Sequence, residues 1–147
     1  MREIKFRGKR LDTRAWLYGD LMHDNCVGAY VYPLDAVNLS SENQVDVSTV
    51  GQFTGLYDKG GKEIYEGDIV ECVSWNEYWS DCTNKTINAM RRKMYVDYRN
   101  GSFKMIEPMP SPIKDNVWDI ICNGDVTIIG NVYENADLLK GGLNDYE

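Results

Sequence analysis

A chain of 147 residues is long enough for one hydrophobic core and short for two full domains, so a single domain over 1–147 is expected. A hydrophobic share of 43% and a charged share of 27% exclude global disorder, and no apolar run approaches the ~20 residues of a membrane-spanning helix. A net charge of −7 weighs against a nucleic-acid binder at first sight and fits an acidic protein that meets other proteins.

The first predicted strand lies in the opening REIKFRG run, where Ile4 and Phe6 alternate with Glu3, Lys5 and Arg7. That period of two predicts an inner face of Ile4 and Phe6 and a solvated face of Glu3, Lys5 and Arg7. A polar connection over 11–14 leads to a second strand, Ala15–Leu21, with Trp16 and Tyr18 on one face and Leu17 and Leu21 on the other; the two strands are expected to pair as a hairpin. Cys26–Tyr32 is a third strand, closed by Pro33, which cannot donate to a ladder. Residues 34–44 lack periodicity and read as a loop, followed by strands at Val45–Val47 and Val50–Tyr57. The DKGGK turn at 58–62 brings the chain back through Glu63–Tyr65.

Ile69–Trp75 alternates strongly and predicts another strand. Asn, Ser, Asp and Thr crowd 76–90, which predicts a loop with at most one helical turn. Lys93–Tyr98 and Ser102–Ile106 resume the alternation on either side of Asn100-Gly101, a strong hairpin-turn signal. Pro108, Pro110 and Pro112 predict an extended connection. Val117, Ile120 and Ile121 fit one face of a short helix over Asp115–Cys122. Asp125–Tyr133 is the last strand, and Glu134–Lys140 reads as a short C-terminal helix with Asn135 as N-cap and Gly141 as stop. Residues 141–147 are expected to fray. The fold class is therefore mainly β, about eight short strands in a small barrel or curled sheet.

The sequence supplies no catalytic set. Glu63, Glu66, Asp68 and Glu71 lie within nine residues, but no Lys, His or phosphate-binding loop accompanies them. His23 is the single histidine and sits in a turn-like HDNC run. Cys26, Cys72, Cys82 and Cys122 lack the paired spacing of a zinc site. No metal and no cofactor are expected. No continuous apolar stretch follows the N-terminal charges, so no export signal is expected; the location implied is cytoplasmic, where these thiols stay reduced.

Two candidate surfaces remain. Trp75, Tyr78 and Trp79 crowd one short segment beside Glu77 and Asp81. Burial explains such a cluster equally well, but exposed it would form a hot spot for a host or phage protein, or for a second copy of the chain. The second is basic. Residues 1–14 sum to +4 and 85–104 to +5 within a chain that is otherwise acidic. Arg91, Arg92, Lys93, Arg99 and Lys104, together with the N-terminal strand, are the candidate contacts for nucleic acid, the alternative function. The plainer reading is that these charges guard strand edges.

Three motifs carry a family resemblance. MREIKFRGKR with WLYGDL at 16–21, VGQFTGLYDKGGKEIYEGDIV at 50–70 and IIGNVYENADLL at 128–139 occur in the order seen in the YopX family, which the chain resembles over about a third of its length. The resemblance implies a phage or prophage origin and a location in the host cytoplasm. It implies a small Src-homology-3-like barrel with added N-terminal strands. It implies no enzyme activity and carries over no catalytic residue. The most direct expectation is a non-catalytic binding module.

Overall fold

The computed structural model describes residues 1–26, 28–35, 40–80, 84–108, 117–119 and 126–140, with backbone alone over 74–80, 84–90 and 117–119. The chain groups into two compact units, residues 1–56 with 63–67, and residues 57–62 with 68–147. Each is built on an antiparallel sheet.

The first unit holds a six-stranded sheet in the order β4-β3-β2-β1-β5-β6. The strands are β1 (Phe6–Lys9), β2 (Trp16–His23), β3 (Ala29–Tyr32), β4 (Gln44–Val45), β5 (Gly51–Tyr57) and β6 (Glu63–Tyr65). The predicted β1–β2 hairpin is present, with Phe6 opposite Gly19 and Lys9 opposite Trp16. β2 changes partner midway: Trp16–Gly19 pair with β1, and Asp20–His23 pair with β3. Ala29, Val31 and Val45 form a buried cluster with Leu17, Leu21 and Val50 packed against it. The inward face of β2 is thus the Leu17/Leu21 face that its alternation predicts.

β1 departs from expectation. Gly8, on the Phe6 side, is buried opposite Leu17 as an inner face should be, but the basic side is covered as well. Arg7 and Lys9 are 5% and 8% exposed, while Ile4 is 58% exposed. The basic face that was expected in solvent is buried because neighbouring strands lay aromatic rings over it: Trp16 from β2, Phe53 from β5 and Tyr65 from β6. Lysine and arginine stems are themselves apolar and pack well under such rings.

The second unit holds a five-stranded sheet in the order β10-β9-β8-β7-β11. Its strands are β7 (Asp68–Ser80), β8 (Asn84–Arg99), β9 (Ser102–Ile106), β10 (Val117–Asp119) and β11 (Val126–Asn131). Val70, Met94, Val96, Met105 and Val126 are buried along it. Asn100 and Gly101, at φ 52° and 82°, close the β8–β9 hairpin between Arg99 and Ser102, as their dipeptide predicts. β11 runs back along β7 with a register shift between Ile128 and Gly130.

Three further expectations are corrected here. Residues 76–80 and 84–90 are strand, not loop: β7 and β8 stay paired from Ile69↔Tyr95 to Ser80↔Asn84. The polar residues that signalled a loop do not prevent this, because the ladder bonds are made by backbone groups that every non-proline residue carries. Val117–Asp119 is a strand on β9 rather than part of a helix, its extended backbone bonded to Lys104–Ile106; the rest of 115–122 lies outside the described residues. The C-terminal helix is a single 3-10 turn, Ala136–Leu139, with Asn135 at its N-cap position but without a side-chain cap bond from it. The described pairings draw two sheets and no closed barrel. The expected frayed tail, 141–147, and two of the four cysteines, Cys82 and Cys122, lie outside the described residues.

Candidate functional site

In the first unit, β1, β5 and β6 bring three charged groups and two rings together. Lys5 bonds Glu63 and also reaches Glu3 at 3.2 Å. The Tyr65 hydroxyl donates to the other Glu63 oxygen at 2.8 Å. Burial, and then that carboxylate, push the Tyr65 hydroxyl well above the ordinary phenol range. Burial works against the charged forms of Lys5 and Glu63, yet their mutual contact prevails, leaving Lys5 raised and Glu63 lowered. Each group is thereby held in its ordinary charge state. A neutral tyrosine, a charged lysine and an ionised carboxylate make a structural network, not an acid–base pair poised near neutrality.

The four clustered carboxylates divide between the units. Glu66 accepts the backbone N–H of Gln52 at 3.0 Å, and its own carbonyl accepts from Arg7 at 3.1 Å. Asp68 is buried at the start of β7. Glu71 pairs with Arg91 at 3.1 Å. Among the described residues no group of three or more His, Cys, Asp or Glu could hold a metal ion.

The DKGGK turn has a second device that its glycines did not reveal. Asp58 accepts the backbone N–H groups of Gly60 and Lys62, each at 2.9 Å, and that of Ile128 on β11 at 3.1 Å. Burial opposes its charge, but the three donors outweigh it and hold the carboxyl below its usual value. A depressed folded-state value means that this stabilisation is complete above the unfolded carboxylate range and is lost as pH falls through the folded value. Asp58→Asn is expected to cost about 1 kcal/mol near neutral pH and to flatten the loss of stability below about pH 4, in urea titrations across that range. An unchanged acid limb would show that Asp58 does not staple the turn.

The basic candidates fall on β8 and β9. Arg91 and Arg99 are held by carboxylates, Glu71 and Asp97, the latter at 3.0 Å, and Arg99 also donates to the Tyr95 hydroxyl. Lys93 stands opposite Glu71, and Lys104 stands opposite Asp97 on one side and Asp119 on the other. Arg92 alternates to the other side of β8 from Arg91 and Lys93. Four of the five cations thus stand beside acids, and Arg92 stands opposite Cys72. The N-terminal basic strand belongs to the other unit.

The aromatic candidates sit on the far part of the β7–β8 hairpin: Trp75 opposite Ala89, Tyr78 opposite Thr86 and Trp79 opposite Lys85. β11 reaches along β7 only as far as Cys72, and β9 along β8 only as far as Tyr95. Eight pairs, Val73↔Arg91 to Ser80↔Asn84, extend past both. Among the described residues, this arm of about 25 Å is paired only with itself.

One surface was not anticipated. On β2 and β3, Tyr18, Asp20 and Met22 share a face with Tyr30 and Tyr32. The signal lay in the register: Tyr30-Val31-Tyr32 repeats the aromatic period of Trp16-Leu17-Tyr18, but only pairing shows that the two sets meet on one side.

The family model described as YopX protein matches residues 5–140. A solved structure with a similar fold is the crystal structure of protein EF1440 from Enterococcus faecalis, at a TM-score of 0.55 and 23% identity, covering 95% of this chain and 99% of that one. At that identity the likeness concerns the fold alone. No curated protein matches the sequence.

Proposed function

The chain belongs to the YopX family, and from that premise we propose that it is a non-catalytic binding module whose β7–β8 arm contacts a protein. The single observation behind this reading is the arm itself. An isolated two-stranded ribbon is marginal in water, and its outer edges offer backbone donors and acceptors to another chain. Natural edges are usually guarded by proline or inward charges. The two strands of the arm carry three charges, Glu77, Lys85 and Arg91, and 73–91 contain no proline or glycine. The same segment carries Trp75, Tyr78 and Trp79, the residue types that dominate interface energetics. The occupant of the arm is a host or phage protein or a second copy of this chain, and the setting is the cytoplasm of a phage-bearing cell. We relate the five-stranded sheet, a β7-β8-β9 meander with β11 returned onto β7, to the Src-homology-3-like barrel. Protein is favoured over nucleic acid because Arg91 and Arg99 already hold carboxylates.

The test uses the tagged full chain as bait in lysate of a phage-bearing host, with light scattering on the purified protein. A specific partner or a defined oligomer is expected, and Trp79→Ala should weaken that association at least about tenfold. A strictly monomeric mass with no enriched partner overturns the proposal.

A further inference from the structure

The unanticipated face of the first unit has its own chemistry. Tyr18 is 46% exposed and Met22 41%, and Asp20 beside them is exposed. Tyr30 and Tyr32 are half-buried, with rings parallel to within 9° and centroids 6.3 Å apart. Tyr18 abuts Tyr65 edge-on at 5.5 Å, so the ring surface continues toward β6. The opposite face of β2 and β3 carries Leu17, Leu21, Ala29 and Val31, the inner cluster. The Tyr30 hydroxyl donates to Asp24 at 3.1 Å. Asp24 is spoken for, since it also accepts the N–H groups of Cys26 and Gly28. By contrast, the Tyr18 and Tyr32 hydroxyls and the Asp20 carboxylate have no hydrogen-bond or ion-pair partner among the described residues, leaving three open polar groups on a shelf of rings.

The exposed charge of this stretch of sequence is acidic. From Ala15 to Asp58 the sequence contains no lysine or arginine, but it contains Asp20, Asp24, Asp35, Glu42, Asp46 and Asp58. Arg7 stands opposite Tyr18 and Lys9 opposite Trp16 on the same face of the sheet, but both are buried, Arg7 against the Trp16 and Tyr65 rings, and Arg10 and Arg14 are held by Asp12 and Asp46. Exposed rings attract cations through their faces, and an unpaired carboxylate beside them adds direction.

We propose that the Tyr18/Asp20/Met22/Tyr30/Tyr32 shelf docks an arginine- or lysine-bearing segment of a partner protein. The aromatic faces take the cationic head and its apolar stem, and Asp20 takes the charge. Phosphate-bearing ligands are repelled from the same field. The shelf lies in the first unit and the arm in the second, so this inference stands apart from the arm reading.

The probe is a capped hexa-arginine peptide titrated into the full chain at low salt, with tyrosine ring signals followed by NMR. Shifts are expected at Tyr18, Tyr30 and Tyr32. Tyr32→Ala, which leaves the net charge unchanged, and Asp20→Asn should each weaken binding about fivefold or more, whereas Asp137→Asn, the same charge change in the other unit, should alter it less than about twofold. Equal weakening by Asp20→Asn and Asp137→Asn would mean that the peptide follows net charge, and that overturns the proposal. Shifts confined to other residues, full affinity in a folded Tyr32→Ala variant, or equal shifts with a short single-stranded oligonucleotide overturn it as well.

Discussion

Gly19→Ala is expected to be the most damaging small substitution in the first unit, costing at least about 3 kcal/mol and lowering Tm by about 10 °C. Gly19 has φ of +154°, a conformation that side-chain-bearing residues rarely adopt. A Cβ there would lie 1.8 Å from the Tyr32 carbonyl oxygen and 2.9 Å from the Pro33 Cα. Both are backbone atoms, so no rotamer change relieves the clash. Gly19 is also the residue at which β2 passes from β1 to β3, since Phe6 pairs with it and Asp20 pairs with Tyr32. Displacing Tyr32 therefore loosens β3 and uncovers Val31 and Ala29, the centre of the inner cluster. Gly101→Ala is the control, for Gly101 also has positive φ, +82°, but a Cβ there would meet nothing within 4 Å. It should cost only about 1 kcal/mol, the conformational part alone. Urea unfolding of both variants separates the terms, and a Gly19→Ala variant no worse than Gly101→Ala would sink the close-approach argument.

Much of this architecture is legible in the sequence because period two is a local property. Phe6, Leu17, Leu21 and Val31 announce strands without knowledge of their partners, and Asn100-Gly101 announces its own turn. What period two cannot say is whether the polar face will be covered as well. In β1 that choice rests on Trp16, Phe53 and Tyr65, which arrive from three other strands and roof Arg7, Lys9 and Lys5. The arm was hidden for a related reason. Asn76, Ser80, Asn84 and Asn88 are poor strand formers singly, and their pairing is a register fact shared by β7 and β8. Val117 and Trp118 fit a helical face as well as a strand, and β9 decides between them. The shelf shows the same limit, since its rings come from two strands whose sequences separately show only alternation.

The buried guanidinium of Arg7 sets the second large prediction. It lies 4.7 Å from the Trp16 ring and 5.0 Å from the Tyr65 ring, and Nη2 donates to the Glu66 carbonyl at 3.1 Å. Arg7→Ala removes the stem, both ring contacts and a donor to a strand-end carbonyl, and it should cost about 3 kcal/mol. Volume loss alone would explain that figure, so the informative variant is Arg7→Met, which keeps most of the packing. Burying a charge is costly, and apolar replacements of buried ions are often neutral or stabilising. Two features tip the balance the other way here. The guanidinium is weakly hydrated and planar, so its desolvation is the mildest of the cations, and it stacks on rings as an ammonium cannot. The Glu66 carbonyl, next to a Glu66 carboxylate that serves Gln52, would lose the guanidinium donor. Arg7→Met is therefore expected to lose about 1 kcal/mol and Arg7→Lys about 1–2 kcal/mol, since the lysine keeps the charge but not the fork or the stack. If Arg7→Met unfolds at the same or a higher urea concentration than the parent, desolvation outweighs the ring and carbonyl contacts, and the basic face of β1 is retained for something other than stability.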